Sequence, residues 1–141
     1  MSGMCTGSKT FGIVALSVFF LDRVLKWIAL EGYSLKIIGG ITFRFLANRG
    51  ATFGVSVPYI DIISLIVLLL LSIYAYKYPS CGLSLILLGG FSNVLDRLVY
   101  GYVIDYLHIP FLPIVGHTYF NLADVMIDVG VILLAWQIIK T

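Results

Sequence analysis

Two aspartates in the second half of the chain have the residue type and spacing of a catalytic carboxyl pair. Asp105 follows a long apolar segment and Asp124 lies at the start of the next one, so both flank the same connection. Two carboxyl groups that meet in a partly dry site share one proton, because ionising both is costly. Such a pair supplies a general acid and a general base, and water held between them can attack a peptide carbonyl. The spacing alone also fits a structural role or an ion path.

Long apolar segments must position these carboxyl groups. They cover about residues 11–30, 59–78, 83–100 and 119–139. Each has close to the ~20 residues that cross a ~30 Å hydrocarbon core as a helix, and lipid-facing open strands are excluded because their backbone groups would be unpaired. The chain is 60% hydrophobic and 11% charged, whereas soluble domains carry about 25% charged residues. The sequence therefore predicts an all-α membrane protein with four transmembrane helices in a single domain, residues 1–141.

The two long connections, residues 31–58 and 101–118, must lie on the same side of the membrane because the spans alternate in direction. In the first connection, side chains alternate with the period of two that is typical of a half-buried strand: Ile41, Thr42, Phe43, Arg44 and Phe45. We expect Val55 and Val57 to continue a second short strand. The sequence thus predicts a small β-rich patch on the side that carries both aspartates.

Polar residues inside the first span have helical spacing. Asp22 and Lys26 are four residues apart, so they share a helix face and can pair. This favours an internal ion pair, and the alternative is that the pair supports a functional site. Polar groups at membrane depth are costly and are therefore candidates for function.

The third span also carries polar residues. Asn93 and Arg97 are four residues apart, whereas Asp96 faces elsewhere. Interhelical hydrogen bonding is one explanation for these residues, and Gly89 and Gly90 would let a neighbouring helix come close. The other explanation is that they support the two aspartates.

Neither composition nor spacing indicates a cofactor or a nucleic-acid partner. The net charge is only +2 and there is no basic run, so nucleic acid binding is not expected. No Cys, Asp or Glu spacing around His108 and His117 predicts a metal site. Asn121, three residues before Asp124, is predicted to be the N-cap of the fourth helix.

Taken together, three segments resemble the lipoprotein signal peptidase (signal peptidase II) family, and the Asp22–Lys26 pair resembles it too. The segments are Asn48-Arg49-Gly50-Ala51-Thr52-Phe53-Gly54, the stretch Gly89–Asp105 with its Asn-x-x-Asp-Arg-x-x-x-Gly-x-x-x-Asp pattern, and Phe120-Asn121-Leu122-Ala123-Asp124. Each motif alone is weak, but the ordered set is specific.

The resemblance implies an aspartyl endopeptidase of the bacterial inner membrane, with both termini in the cytoplasm. Its substrates would be prolipoproteins whose cysteine carries a diacylglyceryl group, cut on the N-terminal side of that cysteine. It implies no cofactor, contact with membrane lipid, and inhibition by globomycin-type compounds. By motif position, Asp105 and Asp124 match the catalytic pair. The supporting or substrate-binding residues would be Asp22, Lys26, Asn48, Gly50, Asn93, Arg97, Asn121 and Ala123.

Two other classes of protein compete with this interpretation. A small proton- or ion-coupled transporter would use Asp22, Asp96 and Asp124 as a relay, which predicts acids spread through the depth of the bilayer. A purely structural four-helix subunit would leave Asn48 and Asn121 with no reason to lie near the acids. The position of Asp105 and Asp124 beside one connection favours a reaction near the membrane surface.

Overall fold

The computed structural model describes residues 9–50, 57–113 and 118–140. Within these ranges it has four helices and one three-stranded antiparallel sheet. The elements in chain order are α1 (Lys9–Leu30), β1 (Leu35–Lys36), a short 3-10 turn (Ile38–Gly40), β2 (Thr42–Asn48), α2 (Ile60–Lys77), α3 (Cys81–Tyr100), β3 (Val103–His108) and α4 (Leu122–Ile139). The mostly helical fold predicted from the sequence is confirmed.

Three of the described helices, α2, α3 and α4, are long and apolar enough to cross a membrane. Helix α1 has 22 residues, but Asp22, Arg23 and Lys26 lie in its second half. Helix α2 has no fully buried residue, and it packs against α3 with only part of its surface. This pattern is expected for a helix whose outer surface contacts lipid instead of protein.

Helices α3 and α4 approach each other at glycines. A Cβ atom on Gly82 would lie 2.6 Å from the carbonyl oxygen of Gly130, and a Cβ atom on Gly130 would lie 2.6 Å from that of Gly82. A Cβ atom on Gly89 would overlap the Ala123 carbonyl oxygen. Small residues allow such closeness between membrane helices. The predicted role of Gly89 is therefore confirmed, and its contact fixes the start of α4 against the middle of α3.

The sheet joins the two long connections. Its strand order is β1-β2-β3, and both pairings are antiparallel. In the β2–β3 pair, Phe43 lies opposite Leu107 and Leu46 opposite Asp105, with an irregularity between the two pairs. The predicted strand around Ile41–Phe45 is confirmed by β2. Val55 lies outside the described residues, and Val57 is not in a strand.

Strand β3 was not expected from the sequence. It has buried side chains on both faces from Val103 to Tyr106, so the alternation that identifies a half-buried strand is missing. Ile104 and Tyr106 pack with Ala29 of α1 in one buried cluster. Side chains alternate across a strand, so Asp105 points away from this cluster.

Candidate active site

Asp105 is held in β3 by two asparagines from other elements. It is only 1% exposed. Its Oδ2 atom accepts a hydrogen bond from Asn48 Nδ2 at 3.0 Å, and its Oδ1 atom accepts one from Asn121 Nδ2 at 2.8 Å. Asn48 ends β2, so the sheet pairing brings it beside β3. The two donors fix the orientation of the carboxyl group.

Asp124 is held by the cap of its own helix and by α3. Asn121 is the N-cap of α4, as predicted, and its Oδ1 atom accepts from the Asp124 backbone N–H at 2.8 Å. Asp124 Oδ2 accepts in return from the Asn121 backbone N–H at 3.2 Å, which completes a capping box. Asp124 Oδ1 accepts from Asn93 Nδ2 at 2.8 Å. The cap thus sets the position of an acidic side chain as well as the start of the helix.

Asn121 contacts both aspartates and is fully buried. Its side-chain amide also lies 3.2 Å from Asn93 Oδ1 and 3.2 Å from the carbonyl oxygen of Ile104. One residue therefore ties the β3 aspartate to the α4 aspartate, and it links both to α3.

Burial and the neighbouring acid perturb the titration of Asp105. Removal from water, then the charge of Asp124, raise its pKa to about 7, against the opposing effect of the hydrogen bonds from Asn48 and Asn121. Desolvation and a nearby like charge both disfavour the ionised carboxyl. Asp105 is therefore able to hold a proton near neutral pH, as a general acid requires.

A buried ionic cluster lies behind the aspartate pair, between α1 and α3. Asp22 and Asp96 are fully buried, as is Lys26. Lys26 Nζ lies 2.6 Å from Asp96 Oδ2 and 3.3 Å from Asp22 Oδ2, and Arg23 Nη1 lies 2.5 Å from Asp96 Oδ1. The predicted Asp22–Lys26 ion pair is confirmed. Two acids and two bases balance in charge, which offsets the cost of burying them.

This ionic cluster reaches Asp124 through Asn93. Lys26 Nζ donates to Asn93 Oδ1 at 2.9 Å, while the amide of Asn93 donates to Asp124. An ammonium group can only donate hydrogen bonds, so the Asn93 amide must turn its oxygen to Lys26 and its nitrogen to Asp124. The sequence placed Asn93 among supporting residues, and it directly contacts the second aspartate.

Asp22 also fixes the start of α4. Its Oδ1 atom accepts from the Tyr106 hydroxyl at 2.9 Å and from the Ala123 backbone N–H at 3.2 Å. The same hydroxyl accepts from the Leu122 backbone N–H at 3.0 Å. Burial raises the pKa of Tyr106, so its hydroxyl stays protonated and donates to Asp22. Tyr106 follows Asp105 directly, and the alternation of β3 is what turns the two side chains to opposite faces.

Sequence reasoning did not identify Arg23, Ser92 or Tyr106 as part of this region. Ser92 is fully buried and its hydroxyl donates to Asp22 Oδ2 at 2.6 Å. Serine gives no distinctive pattern in an apolar helix, so no signal marked it. Arg23 was visible as a charge in the first span, but its partner Asp96 becomes clear only once α1 and α3 are in contact.

Arg97 and Gly50 meet on the other side of the aspartates. Arg97 Nη2 donates to the Gly50 carbonyl oxygen at 3.1 Å, and the Gly50 N–H donates to Asn48 Oδ1 at 3.0 Å. Arg97 Nε also lies 3.6 Å from Asp61 Oδ1 at the start of α2. Arg97 therefore holds Gly50, just after β2, against α3.

An apolar cleft of about 580 Å³ lies between α2, α3 and α4 and includes both aspartates. Five of its polar lining residues cluster around the aspartates, namely Asn48, Asn93, Arg97, Asp105 and Asp124, and most of the remaining lining is aliphatic. Among the described residues, no group of three or more His, Cys, Asp or Glu is arranged to hold a metal ion. The arrangement can bring an apolar chain to a pair of oriented carboxyl groups.

Comparison with known proteins identifies the family of the chain. The family model for signal peptidase (SPase) II matches residues 14–140. A lipoprotein signal peptidase of Moorella thermoacetica is 32% identical over 92% of this chain and 92% of the relative. One from Halothermothrix orenii is 36% identical over 89% and 94%. A solved bacterial membrane enzyme has a TM-score of 0.77 at 27% identity, covering 94% of this chain and 89% of its own. The chain belongs to the signal peptidase II family.

Proposed function

We propose that this chain is an aspartyl endopeptidase that removes the signal peptide from diacylglyceryl-modified prolipoproteins, cutting on the N-terminal side of the lipidated cysteine. Membership of the signal peptidase II family supports the peptidase activity. The observation that carries the proposal is that Asp105 and Asp124, on different elements, are both hydrogen-bonded by Asn121 and line one apolar cleft.

In the proposed reaction the pair holds one proton and one water molecule. The ionised carboxylate takes a proton from water as the oxygen attacks the scissile carbonyl carbon. The protonated carboxyl donates its proton to the carbonyl oxygen. As the resulting tetrahedral intermediate breaks down, the C–N bond cleaves and a proton passes to the leaving nitrogen. The products are a new carboxyl group on the signal peptide and a free amino group on the lipidated cysteine.

The cleft accounts for the type of substrate. Its aliphatic walls, which include Ile63, Val67 and Leu71 of α2, suit an apolar signal helix that enters sideways from the bilayer. The acyl chains of the substrate would stay in lipid between the helices. Asn48 and Arg97, in the polar cluster around the aspartates, would contact or orient the peptide around the scissile bond.

The proposal includes α1 as a fourth span, with both termini in the cytoplasm of a bacterial inner-membrane protein. The polar residues of α1 are turned inward, where Asp22 and Lys26 are buried and paired. Its outer surface exposes large apolar residues such as Phe20, Val24 and Trp27. Both long connections, residues 31–58 and 101–118, would then be extracytoplasmic. A lipid-modified substrate would be cut at that membrane surface.

A proton- or ion-coupled transporter is less well supported. Asp22 and Asp96, two members of the relay it would need, are buried in ion pairs with Lys26 and Arg23 on the α1 side of α3. The third, Asp124, faces the cleft. Acids that are already neutralised and lie on two sides of a helix make a poor continuous path.

The experiment that tests the proposal uses the purified full chain in detergent with a chelator present. A peptide with a diacylglyceryl cysteine is compared with the same peptide lacking the lipid, and products are identified by mass. We expect cleavage of the lipidated peptide alone, at the bond directly before the cysteine, and inhibition by a globomycin-type compound. Absence of cleavage by folded protein, or cleavage at another bond, would refute the proposal.

A further inference from the structure

Asp128 is an acidic residue in the cleft that the proposed reaction does not use. It lies in α4, four residues after Asp124, and lines the same cleft. Within the part of the chain that the structure describes, no hydrogen bond or ion pair to Asp128 is found. Asp22, Asp96 and Asp124 differ from Asp128, because each of them has a protein partner.

The cleft offers Asp128 few polar side chains as hydrogen-bond partners. Gly90 of α3 and Leu68 of α2, which line the same cleft, bring no polar side chain to it. Ser64 also lines the cleft, but its hydroxyl donates to the Ile60 carbonyl oxygen at 2.6 Å. An acidic side chain at membrane depth is costly unless it finds a partner. A molecule that occupies the cleft is therefore the natural source of that partner.

The expected substrate brings such partners. In an α-helix each carbonyl is hydrogen-bonded and shielded by the following turn, so a signal peptide must unwind around the bond that is cut. Unwinding leaves backbone N–H groups unpaired in an apolar environment, which costs free energy for each group. An enzyme that cuts within the membrane must supply acceptors for these N–H groups, and a carboxyl group is a strong acceptor.

We propose that Asp128 is a substrate-binding residue that accepts a hydrogen bond from a backbone N–H of the unwound signal peptide. This inference rests on the proposed function. Four residues of helix place Asp128 about 6 Å below Asp124 along the axis of α4, and an extended peptide advances about 3.3 Å per residue. The N–H it binds therefore belongs to the second residue before the scissile bond.

The test replaces single backbone amides of the lipidated peptide by esters, which removes one N–H at a time. The four residues before the cleavage site are scanned with the full-length wild-type protein, Asp128→Asn and Asp128→Val. Asparagine keeps an acceptor oxygen, whereas valine has none and is an apolar side chain that is compatible with the membrane interior. An ester far from the cleavage site, in the middle of the signal helix, is the control substrate, and kcat/KM is measured for each combination.

We expect an ester at the second residue to lower kcat/KM by about tenfold for wild type and Asp128→Asn. Asp128→Val should already be slower by a similar factor on the all-amide peptide and insensitive to that ester. Equal ester penalties in wild type and Asp128→Val at all four positions would overturn the inference, even with full cleavage of the all-amide peptide. If folded wild type does not cleave that peptide, the proposed function fails, and the inference fails with it.

Discussion

Asn121 donates a 2.8 Å hydrogen bond from its side-chain amide to Asp105, although one residue caps α4 and the other lies in β3. The same asparagine donates its backbone N–H to Asp124. The helix cap and the contacts to both carboxyl groups therefore involve a single residue. This coupling explains why a strand, a cap and a helix must all form before the candidate site is complete.

Replacing Asn121 separates its two roles. Asn121→Ser keeps a good N-cap but loses the side-chain amide that donates to Asp105, so we expect the cleavage rate to fall by about ten- to a hundredfold with little change in melting temperature. Asn121→Ala should lose activity and also about 1 kcal/mol of stability. Melting curves and kcat/KM for both variants check this. A fully active Asn121→Ser protein would contradict the assigned contact.

Gly89 is expected to tolerate no side chain. A Cβ atom there would overlap the Ala123 carbonyl oxygen, so Gly89→Ala should push α4 away from α3 and cost about 1–3 kcal/mol. It should also reduce activity, because Asn93 and Asp124 sit on those two helices. Gly12→Ala is the matched control, since a Cβ atom at Gly12 meets nothing within 4 Å. Equal stability of the two variants would contradict the close packing.

Lys26 is expected to be needed for folding. Lys26→Met removes the ion-pair partner of the fully buried Asp22 and leaves the fully buried Asp96 with Arg23, and breaking a buried pair in this way costs about 3–5 kcal/mol. Thermal or denaturant unfolding in detergent measures the loss. Lys36→Met, at an exposed position of β1, is the control and should change stability little. A Lys26→Met protein as stable as wild type would show that the ionic cluster is not needed.

The pH dependence follows from Asp105, whose pKa burial and Asp124 raise to about 7. Its ordinary value is 3.8, so between these values the folded state binds more protons than the unfolded state. Stability should therefore fall as pH rises from about 4 to 7, by roughly 4 kcal/mol once Asp105 is ionised. The slope should become clearly shallower in Asp105→Asn. A melting temperature that rises over this range in wild type, or an unchanged slope in the variant, would contradict the shift.

The cleavage activity should depend on the protonation of the same Asp105 carboxyl group. If the pair must hold one proton, cleavage declines as pH rises through about 7, where Asp105 ionises. A kcat/KM profile that is flat from pH 6 to 9 would show that this proton has no part in the reaction.

Several parts of this arrangement could be predicted from the sequence because they depend on local spacing. Asp22 and Lys26 pair because four residues separate them on one helix, and Asn121 caps α4 because its side chain reaches back within one turn. Such contacts need no knowledge of which elements are neighbours.

The remaining contacts join residues far apart in the chain. Tyr106 reaches Asp22 across 84 positions, and Arg23 reaches Asp96 across 73. No periodicity in either segment specifies such a pairing, which depends on how α1, α3 and β3 come together. Strand β3 was missed for a related reason, since burial on both faces removes its polar alternation.

The measurement that tests the central claim most directly is cleavage of the lipidated peptide by Asp105→Asn and Asp124→Asn. Each variant keeps the shape of the side chain but can neither take a proton from water nor donate one as an acid. Glu31→Gln, which removes an exposed acid just after α1, is the matched control. We predict that both aspartate variants remain folded and lose at least about a hundredfold in rate, while Glu31→Gln cleaves as wild type does. Near-normal cleavage by either aspartate variant would contradict the two-carboxyl mechanism.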